Sequence, residues 1–245
     1  MLVLAAMTRQ QLERIVARLD HVASRRRGRP WSSSLRRRIL LTCVALRTSL
    51  TFRELAACAQ VSSSTAHRIV ATLTPMLAKL LASPPSDRRV SWVVDGTLIP
   101  TRDHACAAKS KNYRYSCNAQ IVIRRRDLRV MATCTGGPGN RNDPVHYRGS
   151  RVEQLSRYHQ RVLADGGYRG VPELITPAFH GNRIIRDRAW RRHRRRRARV
   201  EHAIACLKTW RVLRDHRRRG HHLDDTLRAV SFLHNLRLVP LRDNP

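Results

Sequence analysis

The chain has 245 residues, enough for one large domain or for a small domain followed by a medium one. It carries 49 Lys and Arg residues against 17 Asp and Glu, a formal net charge of +32, which favours binding to a polyanion such as nucleic acid. No stretch approaches the roughly 18 apolar residues of a membrane span, so an integral membrane protein is excluded and no membrane partner is expected.

The first third of the chain has the apolar spacing of α-helices. We expect a helix from about Thr8 to His21, and a second helix from Leu35 to beyond Leu46, with its N-cap among Ser32 to Ser34. Thr51 predicts the start of a third, short helix, because Glu54 three residues later completes a capping box.

A turn at residues 60–62 separates this short helix from a fourth helix, and the pair has the pattern of a helix-turn-helix. The exposed face at the start of the fourth helix is then the candidate DNA-binding surface, formed by Ser63, Ser64, His67 and Arg68. The alternative is a pair of packed helices that never touches DNA.

The pattern changes after a Pro-Ser-rich segment. We predict a helical DNA-binding domain at residues 1–81, a linker at 82–89 and a second domain at 90–245. Three strand patterns (90–100, 113–124 and 128–135) precede a helix near Asp143, a short strand at 161–165 and helices at about 194–214 and 223–236. This order predicts an α/β fold, a ribonuclease-H-like mixed sheet flanked by helices, after a small all-α helix-turn-helix domain.

Two aspartates lie at predicted strand ends beside glycines. Asp95 precedes Gly96, and Asp165 precedes Gly166 and Gly167. An acid in this setting is accessible, and glycine lets another backbone come close. Asp-Gly is also a common way to make a turn, so each aspartate alone has that second interpretation.

Glu201 is the third candidate acid. At about 100° per residue, Arg197, Glu201 and Lys208 fall within roughly 40° of each other on one helix face. The alternative is a solvent-exposed Glu201 that pairs with Arg197 one turn earlier.

Together the three acids suit metal-dependent phosphodiester cleavage. Two Mg²⁺ ions can activate the attacking oxygen and stabilise the leaving oxygen, and Mg²⁺ prefers a few carboxylate ligands with positions left open for phosphate. We therefore predict Asp95, Asp165 and Glu201 as catalytic metal ligands, with two Mg²⁺ (or Mn²⁺) ions as cofactors.

Four segments then resemble DDE-type insertion-sequence transposases of the group related to PIF/Harbinger endonucleases. They are VVDGT, GNRND, VLADGGYRG and RVEHAIACLKTWRVL, in the family's order across residues 90–240. The 35 residues between Asp165 and Glu201 are an interval that the family favours. The family's Tyr-Arg-Glu-Lys signature is matched at Arg197, Glu201 and Lys208, but Arg194 stands at the Tyr position, which leaves the DNA contact of that position open.

The resemblance implies a transposase that binds terminal inverted repeats, cleaves the element ends and joins their 3′-hydroxyls to target DNA. It also implies DNA contacts from Arg194, Arg197 and Lys208, a homo-oligomer on double-stranded DNA, and a cytoplasmic, nucleoid-associated bacterial location. Asp143, in GNRND, is an alternative second metal ligand, although the order of strands favours Asp165. The other functional reading is a catalytically inactive or domesticated DNA-binding relative.

Overall fold

The computed structural model describes residues 1–23, 31–81, 90–110, 114–159, 161–219 and 222–238. The predicted linker at 82–89 therefore lies outside the described residues, as does Tyr113 at the start of a predicted strand. Within the described ranges, no helix is both long and apolar enough to cross a membrane.

Four helices form the N-terminal part: α1 (Arg9–Ala23), α2 (Leu35–Arg47), α3 (Phe52–Ala59) and α4 (Ser63–Lys79). Ser34 caps α2 through its side chain, and Thr51 and Glu54 form the predicted capping box of α3. Gln60 ends α3 in the left-handed conformation (φ 50°), and Ser62 then caps α4 by accepting from the Thr65 amide at 3.1 Å. Local side-chain chemistry thus sets the turn between α3 and α4.

A mixed sheet forms the second part of the fold. Its strands are β1 (Trp92–Pro100), β2 (Ala108–Lys109), β3 (Tyr115–Arg124), β4 (Arg129–Pro138), β5 (Val162–Leu163) and β6 (Leu174–Ile175). β1, β3 and β4 are antiparallel neighbours, whereas β5 and β6 continue the sheet in parallel beyond β1, and short β2 pairs with the start of β3. The order β4-β3-β1-β5-β6 is that of a ribonuclease-H-like sheet, and it confirms the predicted fold class.

Helices cover both faces of this sheet. Successive side chains of β1 point to opposite faces, so β1 contributes to the core on each side. Val94 belongs to a core with Tyr147 of α5 (Asp143–Tyr147) and Val152 of α6 (Arg151–Arg157). Val93 faces the other core, which contains residues of α7 (Arg188–Lys208) and α8 (His222–Leu238). A small hairpin, β7 (Phe179–His180) and β8 (Arg183–Ile184), precedes α7.

The N-terminal helices share a core with the second part of the chain. α4 packs directly against α8, and most buried apolar side chains of α1 to α4 belong to the same apolar cluster as Leu227 and Leu233 of α8. Asn235 ties α8 to the sheet, since its side chain accepts from the Val130 amide at 2.8 Å and donates to the Val130 carbonyl at 2.7 Å.

Several element bounds differ from the sequence-based predictions. β1 runs five residues past Asp95, so this acid lies within a strand and not at its end. α7 covers Arg188–Lys208 and not 194–214, because Asp187 caps it by accepting from the Trp190 amide at 2.7 Å. Periodicity alone missed this start, since the first turns of α7 are mostly arginine and offer no apolar stripe.

Candidate active site

Asp95 lies in β1, and Asp165 follows two residues after the end of β5, the parallel neighbour of β1. β1 pairs with β5 in the register Trp92 with Val162 and Val93 with Leu163. Two residues further along each chain, the same register brings Asp95 next to Asp165. Parallel strands thereby direct two acids that are distant in sequence towards one edge of the sheet.

Asp95 is largely buried, with 14% of its side chain exposed. Its Oδ2 accepts from Arg197 Nη1 at 3.0 Å, and its Oδ1 accepts from the Gly96 amide at 3.1 Å. Burial raises the pKa of Asp95 to about 7, against the lowering effect of Arg197, while the negative charges of Asp165 and Asp143 raise this pKa further. The buried Asp95 carboxyl therefore has two further carboxylates, those of Asp165 and Asp143, close enough to affect its pKa.

Arg197 connects Asp95 with Glu201. Its Nη2 donates to Glu201 Oε1, one helical turn later on α7, while Nη1 holds Asp95 on the sheet. Glu201 is 56% exposed on its side chain, whereas Arg197 is only 20% exposed. Both interpretations of Glu201 thus find a basis in the structure: it pairs with Arg197, and it does so beside Asp95.

Asp165 begins a 3-10 turn over Gly166–Tyr168. Its Oδ1 accepts from the Gly167 amide at 2.8 Å. Tyr168 is fully buried under the turn, and its hydroxyl donates to Gln120 Oε1 on β3. Burial, followed by the charges of Asp143, Asp95 and Asp165, raises the pKa of Tyr168, so this hydroxyl stays protonated and acts as a donor.

Asp143 approaches the same strands from the first turn of α5. Its Oδ1 accepts from Asn118 Nδ2 at 2.6 Å and from Gln120 Nε2 at 3.2 Å. The approach depends on Gly96, because a Cβ at that position would lie 1.8 Å from Asp143 Oδ1. Asp143 does not cap α5, because Asn142 is the N-cap residue and the Asp143 carboxylate accepts from the side-chain amides of β3.

An amide network lies below the acids and was not predicted from the sequence. Asn118, Gln120 and Tyr168 link Asp143 to the turn that carries Asp165. A signal was present in the alternation of β3, where Asn118 and Gln120 are polar side chains within an otherwise buried strand. Such buried amides need partners, and the partners here belong to the acid cluster.

Carboxylate oxygens suit a hard divalent cation, but the structure does not bring these acids together as a set of ligands. Within the described residues, no group of three or more His, Cys, Asp or Glu side chains is close enough together to hold a metal ion. Burial, with the charges of Asp165 and Asp143 in addition, raises the pKa of Asp95, and a bound cation would stabilise its charged form there. The guanidinium of Arg197 provides positive charge beside Asp95 and Glu201.

The remaining predicted DNA contacts flank this cluster. Arg194 is exposed on α7, 5.6 Å from the ring centroid of Trp190. Lys208 is half-buried at the end of the same helix, and burial together with Arg214 lowers its pKa. Lys208 and Arg214 line one basic hollow with Arg114, Ser110 and Ser116.

The four predicted helix-turn-helix contacts lie apart from the acids, on the exposed side of α4. Ser63, Ser64, His67 and Arg68 are all exposed, whereas Ala66, Ile69 and Val70 of the same helix are buried. His67 packs edge-on against Phe52 at 5.0 Å, and Arg68 lies over the ring of Trp31 at 5.0 Å. Two of these side chains therefore already have aromatic partners, while both serines at the helix start remain accessible.

Comparisons with known proteins found one family model, one relative and one solved structure that are similar to this chain. The family model described as DDE superfamily endonuclease matches residues 94–235. A putative transposase for insertion sequence element IS112, from Streptomyces albus G, is 40% identical over 230 residues, which cover 91% of this chain and 88% of that protein. A solved structure, a pre-cleavage Mos1 transpososome, aligns over 92% of this chain and 84% of that chain at 10% identity, with a TM-score of 0.23.

Proposed function

The chain belongs to the family of DDE superfamily endonucleases, and we propose that it is a transposase that binds transposon ends, cleaves their phosphodiester bonds and transfers the 3′-hydroxyl ends to target DNA. The observation that carries the proposal is the closeness of Asp95, in β1, to Asp165, just beyond the end of the parallel strand β5, with Arg197 and Glu201 of α7 beside Asp95. The relative from Streptomyces albus G, by its name a putative transposase, supports the same activity.

Asp95, Asp165 and Glu201 are the proposed ligands of two divalent metal ions, Mg²⁺ or Mn²⁺. Bound there, such ions would supply an activated nucleophile and charge stabilisation of the leaving oxygen. Asp143 is the proposed positioning residue, since its oxygen is already engaged by Asn118 and Gln120. The family as a whole supports the use of divalent metal ions.

The protein's own side chains have further roles in this proposal. Arg197 pairs with both Asp95 and Glu201, and its guanidinium would also be able to contact a phosphate oxygen of the DNA. Lys208 and Arg214 provide positive charge for the neighbouring phosphates. Arg194 occupies the place of the family's tyrosine and makes a backbone contact there.

Recognition of the ends is assigned to α4. Ser63, Ser64 and His67 lie on the exposed first turns of a helix that follows a tight turn, the arrangement in which a recognition helix meets base edges. Arg68, held over Trp31, would contact the adjacent phosphates. The substrates are double-stranded terminal inverted repeats and target DNA, and a homo-oligomer would bring two ends together.

The test is a cleavage assay on DNA that carries the ends flanking the protein's own gene, with Mg²⁺ or with EDTA. We expect cleavage only with Mg²⁺, lost in Asp95→Asn, Asp165→Asn and Glu201→Gln with end binding retained. Asp187→Asn, which alters an acid at the far end of α7, is the matched control and retains cleavage. Tight end binding without cleavage in Mg²⁺ or Mn²⁺ would instead identify an inactive DNA-binding relative.

A further inference from the structure

A groove lined only by arginines runs along α7. Its walls are Arg188, Arg191, Arg192, Arg195, Arg196 and Arg199 of the helix together with Arg125 of the turn between β3 and β4, and it encloses about 690 Å³. We call it the arginine groove. Its size falls within the usual range of ligand clefts, roughly 300–1,000 Å³, and it exceeds what a single small anion needs.

The arginine groove lies on the opposite side of α7 from the acids. At about 100° per residue, the six helical arginines fall within an arc of roughly 140°, whereas Arg197 and Glu201 point about 170° and about 150° away from its centre. A ligand in the groove is therefore separated from Asp95 by the whole width of the helix.

The positive charge of the groove has no acidic partner. Among the described residues, none of these seven arginines forms a salt bridge, and the six on the helix are exposed. Arg199 fixes the wall, since its Nε and Nη2 donate to the carbonyls of Arg125 and Arg126 at 3.1 Å each. Arg125 Nε is buried and has no hydrogen-bond partner in the described part of the chain. Mutual repulsion of this kind is relieved by a polyanion.

The shape of the groove favours duplex DNA. From Arg188 to Arg199 the helix rises about 16 Å, a distance over which each strand of B-DNA carries about five phosphates. The lining contains no aromatic ring, whereas proteins that bind single strands rely on stacking of bases on aromatic side chains. Arginine contacts to phosphate carry no sequence information, so the bound duplex can have any sequence.

We propose that the arginine groove holds the backbone of a second DNA duplex, different from the duplex that is cut at the acids on the other side of α7. This inference rests on the proposed function, because it assigns a second partner to the same enzyme. It makes α7 a divider between two DNA segments, with the cut end on one side and a duplex of unrelated sequence on the other.

The test uses the full chain in complex with a short labelled end duplex, to which a second duplex of unrelated sequence is added. The variant R191E/R195E reverses two exposed charges of the groove, and R191K/R195K preserves them. R9E/R161E, with the same change of net charge at exposed positions of α1 and of the segment before β5, is the matched control. Affinity for the second duplex, its salt dependence, and cleavage of the end duplex are measured on the same samples.

R191E/R195E should weaken capture of the second duplex about 30-fold or more at physiological salt, with the slope of log affinity against log salt reduced by about 2. Cleavage of the short end duplex should stay at the wild-type rate. R191K/R195K and R9E/R161E should both bind the second duplex as the wild type does. Unchanged capture, equal weakening in R9E/R161E, or preference for duplex RNA over DNA would overturn the proposal. Failure of the proposed function is separate: it would remove cleavage from the wild type but leave the effect of the groove on DNA capture.

Discussion

Arg197 donates from Nη1 to Asp95 Oδ2 at 3.0 Å, and this contact joins a helix to a strand that lies 102 residues earlier in the chain. Its other terminal nitrogen donates to Glu201 on the same helix. One guanidinium therefore stands between two of the proposed metal ligands and provides the positive charge that a metal ion would bring. Because a cation and Arg197 compete for the same carboxylates, the strength of metal binding should depend on this residue.

Substitution of Arg197 should tighten metal binding. In Arg197→Ala the competing cation is gone, so we expect a lower Kd for Mg²⁺ by isothermal titration calorimetry, together with a lower melting temperature without metal, since loss of one partner leaves Asp95 buried and unpaired. Arg197→Lys keeps the charge, so its Kd for Mg²⁺ should lie between those of the wild type and of Arg197→Ala. An unchanged Kd for Mg²⁺ in Arg197→Ala would show that Arg197 does not compete with the metal ion for these carboxylates.

The raised pKa of Asp95 predicts a pH-dependent cost to stability. Its pKa is about 7 in the folded chain against about 4 when unfolded. The contribution of this shift to the free energy of unfolding is therefore fully present below about pH 4 and is lost as the pH rises through about 7. Asp95→Asn should therefore stabilise the metal-free protein at pH 8 by about 1–4 kcal/mol and have a much smaller effect at pH 5. Chemical denaturation at both pH values measures this. An equal effect of Asp95→Asn on stability at pH 5 and at pH 8 would show that the pKa of Asp95 is not raised in the folded protein.

Asp143 and Asp165 should differ in their response to removal of charge. Asp143→Asn keeps an oxygen that can accept from Asn118 and Gln120, so we expect cleavage to fall about 10–100-fold, as for a residue that positions a ligand. Asp165→Asn should abolish cleavage and metal binding alike. Single-turnover cleavage and Mg²⁺ calorimetry on both variants decide the roles, and a reversed order would make Asp143 the second ligand.

Gly96 should tolerate no side chain. The Cβ of Gly96→Ala would lie 1.8 Å from Asp143 Oδ1, so the Asp143 carboxylate must move away from the amides of β3. A displacement of about 1 Å at such a site can cost about 100-fold in rate, and we expect a cleavage loss of that order. Thr97→Ala, at the next position of β1, is the control and should cleave at close to the wild-type rate.

The N-terminal helices and the sheet should unfold together. α4 packs on α8, and Leu77 of α4 is fully buried in the shared core. Leu77→Ala should destabilise the protein by about 2–5 kcal/mol, with far-UV circular dichroism and tryptophan fluorescence moving in a single transition. Val145→Ala, at an exposed position, should change stability by less than about 0.5 kcal/mol. Two separate unfolding transitions, of which Leu77→Ala shifts only one, would show that the N-terminal helices and the sheet unfold independently.

The local features of this protein could be read from its sequence alone. Thr51 and Glu54 cap α3, and buried Ala66, Ile69 and Val70 follow from helical spacing, because each depends on neighbours within a few residues. The order of strands and helices likewise predicted the class of fold. Asp95 and Asp165 stood out because they lie beside glycines at predicted strand ends, and Glu201 stood out because helical spacing places it with Arg197 and Lys208.

Only the tertiary structure decided which side chains meet. The partnership of Arg197 with Asp95 and the closeness of Asp143 to Gly96 link segments far apart in sequence, which no local spacing encodes. The same is true of the amide network of Asn118, Gln120 and Tyr168, whose members lie on separate elements. Register between strands and packing of α7 against the sheet bring these groups within hydrogen-bond distance, and both arise from burial of apolar surface over the whole chain.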